Sequence, residues 1–200
     1  MNRLHRWLCR SGWWRTTIQQ RLPWVLEDID LGPNVLELGP GPGLTTDVLR
    51  HSVERLTALE LDARLADALA ARFAHSNVEV VTGDATATPF LDGQFSACVA
   101  FTMLHHLPSS ALQDKLLREV CRILQPGGVF AGSDSLQSLF MRVIHIGDTL
   151  VPVSPDKFAE RLSAAGFEKI EMEKNSHAFR FRARRPRTRL SNEGHSVADL

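Results

Sequence analysis

The chain has 200 residues and a mass of 22.3 kDa, one domain's worth, and its 44% hydrophobic and 23% charged composition excludes wholesale disorder. No apolar run approaches the ~18–20 residues that cross a bilayer. The formal net charge is zero, yet residues 1–24 hold five arginines and no acid, residues 25–175 hold 21 acids against 12 bases, and residues 176–200 hold six arginines against two acids. An acidic body with basic ends argues against a general nucleic-acid binder and leaves the ends as the contact for RNA or an anionic membrane surface. Met1 to Arg15 has no uninterrupted apolar stretch and is not expected to be a secretory signal. Cys9, Cys98 and Cys121 are scattered and odd in number, which fits a reducing, cytoplasmic setting and no disulfide framework.

In chain order, Arg3 to Ile29 holds all four tryptophans, and Leu4, Trp7, Leu8 and Ser11 share one helical face while Arg3, Arg6 and Arg10 share another. Residues 1–30 are therefore predicted as a helical cap over the domain, with a membrane-surface or partner-binding arm as the alternative. Val35 to Leu38 reads as a buried strand, closed by Gly39-Pro40-Gly41-Pro42-Gly43, and Leu44 to Arg50 as a short helix. Leu56 to Leu61 is a second strand. Asp62 caps a helix to about Phe73, with Leu65, Ala68, Leu69 and Phe73 at helical spacing. Val78 to Thr82 is a third strand and Ala97 to Phe101 a fourth. Ser109 or Ser110 caps a helix through Leu124, which Pro126-Gly127-Gly128 stops, and Val129 to Gly132 is a fifth strand. Leu136 to Ile146 is predicted helical, and Ser154-Pro155 opens a helix to Ala165. Lys169 to Glu173 and Ala178 to Ala183 are two further strands joined as a hairpin. Alternating strands and helices predict an α/β, Rossmann-like, seven-stranded, mostly parallel sheet with one antiparallel strand and helices on both faces. The domain is expected over residues 31–185, with a loose tail over 186–200.

The strongest chemical signal is Glu37-Leu38-Gly39-Pro40-Gly41-Pro42-Gly43 between a strand and a helix. Open parallel sheets bind ligands beyond the carboxyl ends of their strands. Glycines let the backbone approach a ligand, and the helix start offers unpaired N–H groups. The spacing is G-x-G-x-G, with Leu44 where a dinucleotide fingerprint has its third glycine. Glu37 before the loop would repel a pyrophosphate and suit an ammonium group. Glu60 at the end of the second strand can accept both hydrogen bonds of a ribose diol, and Asp84 after the third can accept from an exocyclic amine. Ammonium, ribose and adenine amine together describe S-adenosylmethionine, with NAD as the competing cofactor.

The stretches NVLELGPGPGLT, LTALELD, VEVVTGDAT, FSACVAFTMLHHL, LLREVCRILQPGGVFAGSD and AAGFEKIE span most of residues 34–173. They resemble the class I S-adenosylmethionine-dependent methyltransferases, of the small-molecule type that includes the ubiquinone/menaquinone-biosynthesis enzymes. The resemblance implies that Glu37, Gly39, Pro40, Gly41, Gly43 and Thr45 hold the methionine end of the cofactor and Glu60 the ribose. It implies Leu61 on the adenine, Asp84 and Ala85 at its edge, and Phe101 under the cofactor. Ser96 departs from the aspartate common at the opening of the fourth strand.

Methyl transfer from a sulfonium is an in-line displacement, so positioning and exclusion of water are the main demands. His105 and His106 stand where a base could take the acceptor's proton. Asp134 and His145 to Asp148 are further wall candidates, and Met141, Ile144 and Leu150 suggest an apolar acceptor pocket. Cys98 and Cys121 read as small core residues. No H-x-x-x-H or cysteine cluster marks a metal site, so none is expected. Phe101-Thr102-Met103-Leu104 stands where enzymes that methylate a flipped base carry an Asn/Asp-Pro-Pro-aromatic motif. The expected acceptor is thus a small, partly apolar metabolite. Binding of the cofactor without catalysis, and RNA methylation through the basic ends, are the alternatives. Arg180, Arg182 and Arg184 alternate with Phe179, Phe181 and Ala183, as on the solvent face of a half-buried strand.

Overall fold

The computed structural model describes residues 12–138, 142–143 and 145–187. The stripe over Arg3 to Ser11, Met141, Ile144 and the tail beyond residue 187 lie outside them. The elements are α1 (Gly12–Val25), β1 (Asn34–Leu38), α2 (Leu44–Leu49), β2 (Arg55–Glu60), α3 (Ala63–Arg72), β3 (Val78–Thr82), β4 (Phe95–Phe101), α4 (Ser110–Ile123), β5 (Leu124–Ser135), α5 (Pro155–Ala164), β6 (Glu168–Lys174) and β7 (Ala178–Arg184). A 3₁₀ turn, Leu104–His106, follows β4.

The seven strands form one sheet in the order β3-β2-β1-β4-β5-β7-β6. β1 to β5 pair in parallel, and β7 runs antiparallel to both β5 and β6. From β1 the chain moves outward to β2 and β3, then returns to lay β4 on the other side of β1. That reversal is where an open parallel sheet leaves a crevice at its carboxyl edge.

The pleat sends alternate residues to opposite faces. Leu36 and Leu38 of β1 join Cys98, Ala100 and Phe130 under Leu116, Leu117 and Val120 of α4 and Phe158 and Leu162 of α5. Val35, Leu56, Ala97, Val99 and Val129 face the other way, under Ile18, Leu22 and Val25 of α1. Two apolar clusters therefore sandwich the sheet, one closed by α4 and α5 and the other by α1. Burial pushes the thiols of Cys98 and Cys121 up, the opposite of what a nucleophile needs.

Local signals explain most boundaries. Asp62 accepts from the Arg64 and Leu65 N–H groups at 2.9 and 3.3 Å, and Ser109 from Leu112 N–H at 3.2 Å, so two helices start at side-chain caps. Ser154 occupies the cap position of α5 without a side-chain bond, and Pro155 presets the first turn instead. β5 differs from expectation. It begins at Leu124, directly after α4, because Leu124 pairs with Phe95 and the Pro126-Gly127-Gly128 stretch is absorbed as an irregularity before Val129 meets Ala97. Gly127, at φ 82°, takes a backbone conformation that suits glycine there. Of the predicted Leu136–Ile146 helix, only Arg142 and Val143 are described as helical, and His145 to Gly147 form a turn.

Ser96, the departure noted above, is a fastener. Its Oγ lies 2.8 Å from the carbonyls of both Leu31 and Asn34 and accepts from Asn34 N–H at 3.0 Å, tying the entry of β1 to β4 at the sheet edge remote from the crevice. The arginine run is also tied down rather than merely solvated. Arg180 pairs with Glu27 at 3.0 Å and Glu173 at 2.5 Å and lies over Trp24, while Arg182 pairs with Glu171. Arg184 donates to Gly127 O at 3.1 Å and Arg185 to Arg122 O at 2.7 Å. These four cations join β7 to β6, to the end of α1 and to the start of β5.

Candidate functional site

A cavity of about 620 Å³ opens at the carboxyl ends of β1, β2, β3 and β4, within the size range of small-molecule sites. Its floor is the loop after β1. Gly39 and Gly41 have φ 61° and 55°, and a Cβ on Gly41 would meet nothing within 4 Å, so the backbone there is bare toward the opening. Gly43, at φ 78°, serves a different purpose: a Cβ would collide with Leu69 of α3, so this glycine permits helix packing and lies off the cavity wall. Gly39, Pro40, Gly41 and Thr45 all line the cavity.

Glu60 ends β2 on the wall, only 8% exposed. One carboxylate oxygen accepts from Gly41 N–H at 2.9 Å and the other from Asp62 N–H at 3.0 Å, so each keeps accepting capacity for a ligand. Leu61 borders the opening at 72% exposure, an apolar surface left open. Asp84 and Ala85 follow β3 on the same wall, with Asp84 Oδ1 fixed by Thr86 N–H at 2.8 Å. Phe101 closes the base at the end of β4. These residues come from four strand ends and surround one space.

Glu37 is placed otherwise than expected. It shares a face of β1 with Val35, is 1% exposed, and stands beneath the loop rather than on the cavity wall. Both its carboxylate oxygens accept hydroxyls of α2, from Thr45 and, at 2.6 Å, from Thr46. Burial raises its pKa to about 7; the threonine bonds oppose the rise, and the neighbouring carboxylates of Glu60 and Asp47 add to it. Its direct partners in this structure are the hydroxyls that set α2 under the loop.

At the other end of the cavity stand His105, His106 and His145, with ring centroids 4.3 to 5.2 Å apart. His105 is buried, and its Nδ1 lies 2.5 Å from Asp134 Oδ1; its backbone N–H reaches Asp134 Oδ2 at 3.2 Å. Burial pushes the Asp134 carboxyl up, but the charge and hydrogen bond of His105 and the Ser135 and His105 N–H groups outweigh it and hold the group below the usual carboxylate range. Phe101 pairs with Ser133, so the residues just past β4 meet the last residues of β5, which joins His105 to Asp134. Thr102, at φ 51°, sits in this turn and on the wall. Gln113 braces it by donating to Leu104 O at 3.1 Å and Val151 O at 2.9 Å. Thr102, Gln113 and the histidine gathering escaped the sequence reading, because their signal is the adjacency of β4 and β5. Of the expected acceptor wall, Leu150 lies off the cavity. Met103, Leu107 and Leu112 supply apolar lining instead.

Residues 36–132, just under half of the chain, match the family model of a methyltransferase domain. A probable ribosomal RNA small subunit methyltransferase A of Thermococcus onnurineus is 43% identical over 56 residues, covering 28% of this chain and 21% of that protein. A probable S-adenosylmethionine-dependent methyltransferase of Mycolicibacterium smegmatis is 28% identical over 145 residues, covering 68% and 52%. The fold superposes with a TM-score of 0.71 and 15% identity on a chain of the Haloferax volcanii complex between the Trm112 methyltransferase activator and a protein assigned as a methyltransferase, covering 93% and 99%. The chain spans between a fifth and about half of the length of these two curated relatives. The stretch 36–132 is thus similar to a methyltransferase domain, and the chain shares the fold of the solved Haloferax volcanii chain.

Proposed function

We propose that the chain binds S-adenosylmethionine in this cavity and transfers its methyl group to a small, partly apolar acceptor. The observation that carries the reading is the convergence of Glu60, Asp84 and the bare Gly41 backbone on one space, since carboxylates suit ribose hydroxyls and an adenine amine and repel a diphosphate. Glu60 would hold the ribose, Asp84 and Ala85 the adenine edge, Leu61 and Phe101 its faces, and the Gly39 to Gly41 loop with Thr45 the methionine end. Glu37 would act through Thr45 and Thr46, by holding α2 and the loop in place. The cofactor supplies a methyl group already activated on a sulfonium. The protein's part is to position the acceptor and keep water out. Met103, Leu107 and Leu112 give the acceptor an apolar bed, and His105 and His106 face its reacting end. His105 Nδ1, held by Asp134, leaves Nε2 as the atom that accepts the acceptor's proton. α1 brings Ile18 to the cavity, consistent with a cap over it.

Calorimetry with S-adenosylmethionine, S-adenosylhomocysteine and NAD tests the reading. Micromolar binding of the first two, on the order of −8 kcal/mol, and none of NAD is the expected result. NAD binding in preference to both would overturn it.

The ribosomal RNA relatives favour RNA as a second acceptor class. Against it stand Phe101-Thr102-Met103-Leu104 in place of a base-stacking motif and the engagement of Arg180, Arg182, Arg184 and Arg185 within the protein. RNA retention on filters at 50 and 200 mM salt separates the two. The small-acceptor reading expects no binding that salt weakens, whereas a drop on the order of 10³-fold would make RNA the partner.

A further inference from the structure

Three imidazoles meet at the acceptor end, and among the described residues their ligating nitrogens lie within 4.8 Å of one another. They come from two segments: His105 and His106 from the 3₁₀ turn after β4, and His145 from the turn after β5. We propose that His105, His106 and His145 form a site for one divalent transition-metal ion of the zinc class, with a fourth position open to the cavity.

The chemistry of the set favours this ion. Nitrogen-only ligation suits zinc, cobalt, nickel or copper rather than magnesium or calcium, which take oxygen. Three protein ligands with one open position is the arrangement of catalytic zinc sites. A ligating histidine usually gives its other ring nitrogen to a carboxylate, and His105 Nδ1 already faces buried Asp134 at 2.5 Å. That contact leaves Nε2 for the ion and fixes the ring. Tetrahedral bonds of about 2.0–2.1 Å put ligand nitrogens about 3.4 Å apart, so the rings need close by little more than an ångström. His106 is half-buried and His145 sits on a turn rather than in a helix or strand, while Asp134 anchors His105. All three residues line the cavity, so the open position faces the bound acceptor.

The use of the ion rests on the methyl-transfer reading; the site itself does not. In the loaded protein His105 Nε2 is a ligand rather than a base. An acceptor hydroxyl or thiol at the open position would lose its proton to solvent, because the ion lowers its pKa as it lowers that of bound water to about 7.

The test uses the untagged full chain, stripped with a chelator and titrated with cobalt(II), read by its visible absorption and by displacement with zinc. One equivalent is expected to bind at micromolar concentration or tighter. His145→Ala and His106→Ala should each weaken binding at least tenfold, and Asp134→Asn about 10- to 100-fold through His105. Calorimetry with S-adenosylhomocysteine on the same samples reports that each variant is folded, and half-buried His106 keeps the test alive where His145→Ala does not fold. Uptake by the wild type no tighter than by His106→Ala would overturn the site. S-adenosylhomocysteine binding without cobalt binding removes the site and keeps the methyltransferase reading; cobalt binding without S-adenosylhomocysteine binding keeps the site and removes that reading.

Discussion

Replacing Glu60 by alanine is expected to weaken S-adenosylhomocysteine binding at least tenfold, about 1.4 kcal/mol, and up to about a hundredfold if both ribose bonds are lost. The carboxylate works at two levels. It is 8% exposed on the cavity wall, where a ribose diol would find two charged acceptors. It also accepts from Gly41 N–H and Asp62 N–H, which ties the glycine loop to the turn between β2 and α3. Alanine removes the acceptors and slackens the loop that the methionine end would rest on. Glu60→Gln sharpens the test. One end of an amide is a donor, so it must face the N–H of either Gly41 or Asp62, and that meeting is repulsive. Glutamine should therefore resemble alanine rather than wild type. Calorimetry decides, and unchanged affinity in both variants would remove Glu60 from the ribose and with it the assignment of the crevice.

The second large effect concerns pH. Glu37 has its pKa raised from an ordinary 4.5 to about 7, first by burial, with the Thr45 and Thr46 bonds opposing and Glu60 and Asp47 adding. Between those values the folded chain keeps a proton that the unfolded chain has released. The contribution is fully present below about pH 4.5, falls by about 1.4 kcal/mol per unit as pH rises, and is gone above about pH 7. The loss over the window is roughly 3 kcal/mol. Glutamine has the shape of the protonated acid and does not ionise. Glu37→Gln should thus gain roughly 3 kcal/mol on wild type between pH 4.5 and pH 8, whatever constant cost it carries for re-pairing the two threonines. Urea unfolding of both proteins at the two pH values measures this. A stability difference that stays the same at both would show that folding does not raise the Glu37 pKa.

What could be read in the residues was mostly short-range. Apolar runs broken by glycine and proline marked the strands, and Asp62 and Ser109 announced two helices that begin at those caps. The parallel architecture followed from the alternation of elements, and Glu60, Asp84 and Phe101 were located because each ends or follows a strand. Some placements follow from parity: Glu37 lies two residues from Val35, so it shares that buried face. Others could not. The arginines of β7 look like a solvent face until β6 and α1 are laid beside them, when Glu27, Glu171 and Glu173 become their partners.

The alternation of strands and helices, the glycine turn and the acids at the strand tips were legible in residue order, because propensity, periodicity and capping act within a few residues of chain. Which side chains meet was set by the folded neighbourhood. Gly43 was committed to α3 packing, Glu37 to the threonines of α2, and His105 to Asp134 and His145, since these contacts depend on which strand lies beside which and on the side to which each residue points. Spacing along the chain carries no record of that neighbourhood, because the parallel pairing that creates it joins segments separated by a whole crossover.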